Sequence, residues 1–161
     1  MKKLLLLILL FISSAYAMQA PQPHNEESIE ITLTNPTRVF NNFYQILALD
    51  GKKQVGYLTF HYFANNPTQW GLGSFSVQQA YRENHIGQAL LKECIDYIKS
   101  QQARQLTWQA IPLDQAINLD TLIKIYQKII IKLGFAPEAL IIGPREGSGL
   151  TQQVTMSLQL T

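Results

Sequence analysis

The chain of 161 residues has 13 basic and 11 acidic side chains, a formal net charge of +2, and 47% hydrophobic residues. This length and apolar content suit one domain with a sizeable core. The near balance of charge argues against a nucleic-acid groove or a broad cationic membrane face. Cys94 is the single cysteine, so an internal disulfide is excluded, and its position on an apolar helix face indicates a small buried hydrophobe.

The first 17 residues have the order of a secretory signal peptide. Lys2 and Lys3 precede the apolar run 4–12, and Ala15-Tyr16-Ala17 supplies an Ala-x-Ala cleavage site. We therefore predict cleavage after Ala17 and a periplasmic or secreted protein. The run is too short for a stable membrane anchor, because a spanning helix needs about 20 apolar residues. Since both lysines leave with the signal, the remaining chain has no formal net charge.

Residues 18–27 are polar and aperiodic, and we predict a flexible leader there, followed by one domain over residues 28–161. Four strands come first, predicted at residues 28–34, 43–49, 55–63 and 70–77. Asp50-Gly51, between the second and third, is the sequence of a tight hairpin turn. Gly71 and Gly73 lie inside the fourth strand, where a glycine often marks a β-bulge or a close ligand approach.

The second half of the chain alternates helices and strands. Apolar residues at helical spacing predict helices over residues 88–102 and 119–133, the second closed by Gly134. Strands are predicted at residues 105–111, 139–142 and 154–160, with a turn-rich loop at 143–149. The order β-β-β-β-α-β-α-β-β predicts a mixed α/β domain.

The turn between the fourth strand and the first helix carries Arg82, Asn84 and Gly87. Free backbone N–H groups and the positive end of a helix dipole make such a turn a ready anion site. Gly87 is small enough to let a phosphate approach the backbone closely. The alternative interpretation is a structural turn capped by Asn84.

This segment resembles the acetyl-CoA-binding motif of the GNAT superfamily of N-acetyltransferases, written Arg/Gln-x-x-Gly-x-Gly/Ala. Here the motif reads Arg82-Glu83-Asn84-His85-Ile86-Gly87, with His85 at the first glycine position. The resemblance implies a mostly antiparallel mixed sheet flanked by helices, and acetyl-CoA or a related acyl-CoA as co-substrate. The acyl-CoA-binding residues that it implies are Phe75, Val77, Arg82, Asn84, His85, Ile86, Gly87 and Gln88.

Two departures from the resembled family bear on function. The family normally places two helices, which wall the acceptor side, between its first two strands, but only residues 35–42 are available here. Leu133-Gly134-Phe135 resembles the family's second signature, whose tyrosine falls at Ile130 in this chain. Tyr126 lies one helical turn earlier on the same face. Either the helix carries an extra turn or the tyrosine has been lost.

The resemblance implies that a primary amine attacks the thioester directly, which needs a base, an oxyanion donor and an acid. The implied oxyanion donor is a backbone N–H near Phe75–Val77, and the acid candidate is Tyr126. His61 is the first candidate for the base, because the intrinsic pKa of a histidine side chain lies close to neutral pH, and Asp114 is the second. Two functions stay open: an exported N-acetyltransferase acting on an unidentified small-molecule or protein amine, and a catalytically degenerate, exported binding or adaptor module.

Overall fold

A computed structural model describes residues 30–82, 84–112, 117–148 and 152–160. The predicted signal peptide and leader (1–27) lie outside the described residues, and so does the second base candidate, Asp114. Across the ranges described, no helix has the length and apolarity needed to cross a membrane.

The described chain forms eight strands and two α-helices. The strands are β1 (Ile31–Leu33), β2 (Thr37–Phe40), β3 (Phe43–Asp50), β4 (Lys53–Phe63), β5 (Asn66–Val77), β6 (Gln105–Ala110), β7 (Leu140–Glu146) and β8 (Gln153–Gln159). The helices are α1 (Ile86–Ser100) and α2 (Leu119–Lys132). This is the predicted order with one added strand, β2, in the short connection at residues 35–42.

All of these strands belong to one sheet, in the order β1-β3-β4-β5-β6-β8-β7, with β2 also paired to β3. The β5–β6 pair is parallel, and the other pairs among the described strands are antiparallel. The predicted mixed, mostly antiparallel sheet is therefore confirmed. β5 is the strand at which the direction of pairing changes.

Both helices pack on the same face of the sheet, here called the helix face. Cross-strand partners point to the same side, so the pairings Trp70–Leu106 and Leu106–Leu158 place three buried side chains there. α1 contributes its apolar residues at helical spacing, and Trp108 meets Tyr126 of α2 with ring centroids 5.3 Å apart. Each fully buried large apolar side chain contributes about 1.5–3 kcal/mol. The opposite, open face carries the alternate side chains, and no helix among the described residues covers it.

The helix ends follow from local chemistry. Asn118 caps α2, because its side-chain oxygen accepts a hydrogen bond from the Thr121 N–H at 2.8 Å. Gly134 ends α2 with a φ of 89°, a conformation that glycine adopts without strain. Cys94 of α1 is fully buried, and burial raises the pKa of its thiol.

Two predicted strand boundaries differ from the structure by four residues each. β5 begins at Asn66, four residues before the predicted start, because the turn after β4 is tight and pairing resumes at once. β7 extends to Glu146 through part of the predicted loop, since its pairing with β8 continues past an irregularity at Gly143. The predicted hairpin is present, with Asp50 paired to Lys53 across the turn.

Candidate active site

A β-bulge divides β5 into two halves. The pairing of β4 with β5 slips by one residue, so that Gly73 and Ser74 together stand opposite Thr59. The Thr59 hydroxyl accepts a hydrogen bond from the Ser74 N–H at 2.8 Å. A Cβ placed on Gly73 would lie 2.6 Å from that hydroxyl oxygen, which explains the glycine. Of the two alternatives predicted for the glycines in this strand, a bulge or a close ligand approach, the bulge is present at Gly73.

The bulge decides where the end of β5 points. Side chains alternate between the two faces of a strand, and one extra residue reverses the alternation. Trp70 and Leu72 point to the helix face before the bulge. Phe75 and Val77 point to the same face after it, because they pair with Leu58 and Gly56 on β4.

The sheet opens next to this second half of β5. Pairing between β5 and β6 covers Gln69–Gly71 and Gln105–Thr107 and ends there. β5 nevertheless continues to Val77, and β6 continues to Ala110. The two strands therefore separate and leave a wedge-shaped gap along the edge of β5.

Backbone donors of β5 face this gap. The Gln78 N–H donates to the Val55 carbonyl of β4 at 2.8 Å. Because bonding alternates along an antiparallel pair, the N–H groups of Phe75 and Val77 point away from β4 and into the gap. The Val77 carbonyl, on the same side, accepts a hydrogen bond from Arg82 Nε at 3.3 Å. The gap therefore carries N–H groups of the kind that stabilise an oxyanion.

A cavity of ≈ 530 Å³ covers the gap on the helix face. Its walls come from the end of β5, the start of α1, the exit from β6 and one side of α2. The residues that line it are Phe75, Ser76, Val77, Arg82, His85, Gly87, Gln88, Pro112, Ile117, Leu122, Ile125, Tyr126, Lys128, Ile129 and Lys132. Most of the residues predicted to bind acyl-CoA are thus brought together with Tyr126.

Two residues predicted to bind acyl-CoA, Asn84 and Ile86, do not line the cavity, and both lie where the turn passes into α1. The Asn84 N–H donates to the Tyr81 carbonyl at 3.3 Å, so this backbone amide stabilises the turn. The Ile86 side chain is buried in the core. His85, not Asn84, is the residue that precedes α1, and its φ of 56° lies in the left-handed region. That backbone conformation favours glycine, which is the residue that the family motif has there.

Gly87 has a packing role that the sequence did not reveal. A Cβ at this position would lie 3.2 Å from Phe75 Cζ and 3.8 Å from Val77 Cγ2. The glycine thus lets the first turn of α1 approach the second half of β5. It also lines the cavity, as the predicted phosphate contact requires.

Tyr126 lines the cavity, whereas Ile130, at the family's tyrosine position, is 1% exposed and points into the core. Burial raises the pKa of Tyr126 to about 12. The phenol is therefore protonated at neutral pH. Of the two interpretations of the second signature, this geometry favours a tyrosine displaced by one helical turn.

Four basic side chains line the cavity: Arg82, His85, Lys128 and Lys132. No carboxylate is among the described lining residues, and the α2 side of the wall is otherwise largely apolar. Neither lysine was predicted from the sequence to belong to the site. The signal was present, because Lys124, Lys128 and Lys132 recur every four residues and so form one stripe on α2.

His61 lies outside this cavity, on the open face. Its ring stacks on Phe43 at 4.7 Å and meets Phe63 edge-on at 5.1 Å. Burial lowers the pKa of His61, so the ring is neutral at pH 7. It covers Gly71, and four residues of strand, about 13 Å, separate Gly71 from Phe75. The structure therefore does not bring His61 to Tyr126, and its role as base stays a prediction.

Comparison with known proteins identifies the family. The profile of the acetyltransferase (GNAT) family matches residues 9–120, and the chain belongs to this family. The match begins inside the predicted signal peptide. A search of curated proteins gives no match.

Solved structures share the fold at low sequence identity. An aminoglycoside 6'-N-acetyltransferase complexed with coenzyme A has a TM-score of 0.58 and 15% identity, over 74% of either chain. The ribosomal-protein-S18-alanine N-acetyltransferase from Escherichia coli has a TM-score of 0.57 and 13% identity, over 76% of this chain and 72% of its own. A Bacillus subtilis acetyltransferase in complex with CoA has a TM-score of 0.55 and 10% identity, over 82% of this chain and 100% of its own.

Proposed function

We propose that this protein is an N-acetyltransferase that moves an acetyl group from acetyl-CoA to a primary amine. The observation that carries the proposal is the cavity lining, which is basic and has no carboxylate among its described residues, set beside a gap of backbone donors at the start of a helix. An acyl-CoA combines several phosphate charges with an extended arm, and this cavity offers cations and an apolar wall. Similar folds solved with coenzyme A support the assignment.

The start of α1 suits the pyrophosphate. The first N–H bonded within the helix is that of Ala89, which donates to the His85 carbonyl at 3.0 Å. The N–H groups of residues 86–88 precede it and lie at the positive end of the helix dipole. Gly87 and Gln88 line the cavity, so an anion there meets these donors together with Arg82.

The gap suits the chemistry. With the thioester carbonyl at the edge of β5, the N–H groups of Phe75 and Val77 stabilise the oxyanion that forms when the amine attacks. Collapse of this intermediate forms the amide and breaks the C–S bond. The leaving thiolate takes the hydroxyl proton of Tyr126, the ammonium proton of the intermediate passes to solvent, and solvent returns a proton to the Tyr126 oxygen.

Calorimetric titration with acetyl-CoA tests the binding site. Reversing one rim charge, in Lys128→Glu or Lys132→Glu, should weaken binding about tenfold or more, the scale of a charged hydrogen bond. Lys124→Glu is the matched control, because Lys124 lies on the same helix but does not line this cavity. Affinity should also fall with added salt. A folded wild type that binds no acetyl-CoA at millimolar concentration would overturn the proposal.

The alternative, a degenerate binding module, draws on one observation: no carboxylate base is found among the described residues of the cavity wall. Such a module would retain acetyl-CoA binding but release no CoA thiol with any amine. Single-turnover assays with a broad amine panel separate the two functions. Thiol release that depends on the amine and on Tyr126 favours the enzyme.

We also propose that the protein is exported, on the strength of the order of basic residues, apolar run and Ala-x-Ala site at residues 2–17. Acyl-CoA is made in the cytoplasm, so an exported enzyme would need delivery into another cell to find its donor. Intact-mass measurement of the periplasmic fraction should give a chain that begins at Met18. A cytoplasmic product that keeps residues 1–17 would refute export.

A further inference from the structure

The open face carries an aromatic cluster beside the gap. The His61 ring of β4 contacts the rings of Phe43, from β3, and Phe63, from β4, and Phe43 is 40% exposed. Phe40 of β2 pairs with Phe43 and is 68% exposed. We call Phe43, His61 and Phe63 the aryl cluster. Exposed aromatic groups gathered on one face are typical of a recognition surface.

The strands around the aryl cluster are poor in negative charge. Within β2, β3, β4 and β5 the one carboxylate is Asp50, at the far end of β3 from Phe43. Asp50 is already engaged, because it accepts a hydrogen bond from the Tyr81 hydroxyl at 2.7 Å. A polycationic acceptor would therefore find no carboxylate partner on these strands. Neutral aromatic rings, by contrast, gain from packing against apolar or aryl groups.

The gap gives the aryl cluster access to the acyl group. On the helix face, the acyl-CoA of the proposed function fills the cavity and closes that approach. The separation of β5 from β6 beyond Gly71 leaves the open face as the other way in. Between the aryl cluster and Phe75 lies Gly73, which is exposed and has no side chain to block a ligand.

Resting on the proposed function, we propose that the acceptor is a primary amine joined by a short chain to an aromatic or other bulky apolar group. That group packs on the aryl cluster while the amine reaches the acyl carbon in the gap at Phe75. About 13 Å of strand separates Gly71 from Phe75, and the His61 ring over Gly71 takes up part of that distance. The connecting chain of the acceptor is therefore several atoms long.

A matched pair of amines tests the inference with the full chain and acetyl-CoA. 4-Phenylbutylamine and n-butylamine carry the same primary amine and differ in the aryl group. We expect kcat/KM at least about tenfold higher for 4-phenylbutylamine, the scale of one buried ring, and lower values for spermidine than for either. Equal values for the pair, or a preference for spermidine, would overturn the inference.

Variants connect the preference to the aryl cluster. Phe43→Ala should reduce the ratio between the two amines to about threefold or less, the scale expected once the main ring contact is lost. Ile141→Ala is the control, because Ile141 is also exposed, at 52%, but lies on β7. Phe63→Ala supplies the second test if Phe43→Ala does not fold. A ratio unchanged in a folded cluster variant contradicts the inference.

Binding measurements separate this inference from the proposed function. If calorimetry finds no acetyl-CoA binding, the proposed function fails and the acceptor inference fails with it. If acetyl-CoA binds but no amine is acetylated, saturation-transfer NMR of 4-phenylbutylamine on the CoA-loaded protein decides. Contact that is lost in Phe43→Ala supports the inference, and absence of contact overturns it.

Discussion

The two halves of β5 have the same strand geometry and opposite tasks. Before the bulge, Trp70 is paired on both edges and is 3% exposed, among the rings of Tyr44, Phe60, Tyr62 and Tyr97. After the bulge, Phe75 is paired on one edge and lines the cavity. Stability and chemistry are thus divided along one strand. The site arises where the sheet stops pairing, because only there do backbone donors remain for a ligand.

The largest expected effect is on stability, in the first half. Trp70→Ala removes the centre of an aromatic cluster and should lower the free energy of unfolding by about 3–5 kcal/mol. Phe75→Ala, in the second half, should lower it by about 1–2 kcal/mol, since this ring is half-buried, and should weaken acetyl-CoA binding. Chemical denaturation and calorimetry on the two variants measure this. Equal losses of stability would contradict the division.

The next effect is on turnover. Tyr126→Phe keeps the ring against Trp108 but removes the proton donor, so kcat should fall about 10²-fold while acetyl-CoA affinity stays unchanged. If Tyr126 is merely part of the core, turnover will be nearly normal and the melting temperature will change instead. Steady-state kinetics together with thermal unfolding distinguish the two outcomes.

The pH profile sharpens the same prediction. A pKa raised to about 12 means that Tyr126 holds its proton throughout the usual assay range and loses it only as the pH rises through that value. We therefore expect no fall in wild-type kcat between pH 7 and about pH 10 from loss of this acid. A descending limb near pH 10 that disappears in Tyr126→Phe would show an unshifted tyrosine and contradict the raised pKa.

The smallest effect concerns the bulge that joins the halves. Thr59→Val removes the hydroxyl that accepts from the Ser74 N–H and should cost about 1 kcal/mol. Because the bulge aims Phe75, acetyl-CoA affinity should fall as well. Thr107→Val is the control, since it removes a threonine hydroxyl that hydrogen-bonds the Ser157 hydroxyl on β8, away from the bulge. Unchanged affinity in Thr59→Val would show that the bulge does not position the site.

The sequence was sufficient for features that depend on neighbours in the chain. Alternation predicted the strands, helical spacing predicted α1 and α2, and Gly71 with Gly73 predicted the bulge. β2 was not predicted, because its four residues are all exposed and show no alternation between buried and exposed positions.

Features that depend on pairing between distant segments could not be predicted. Lys128 and Lys132 belong to the cavity because α2 turns that stripe toward the start of α1, a matter of tertiary packing. The position of His61 on the open face follows from the register of β4 against β5, which periodicity alone leaves undetermined. The departure at His85 was visible in the sequence, but its reason, a left-handed backbone, was not.

The burial of Cys94 has a practical consequence for assays. Thiol reagents react with the thiolate, and this thiol is both inaccessible and held in its protonated form by the core. A colorimetric reagent that detects free coenzyme A should therefore report the product while leaving the folded protein unlabelled. Labelling at Cys94 would then mark the fraction of molecules that have opened, so one reagent can follow turnover and unfolding in the same cuvette.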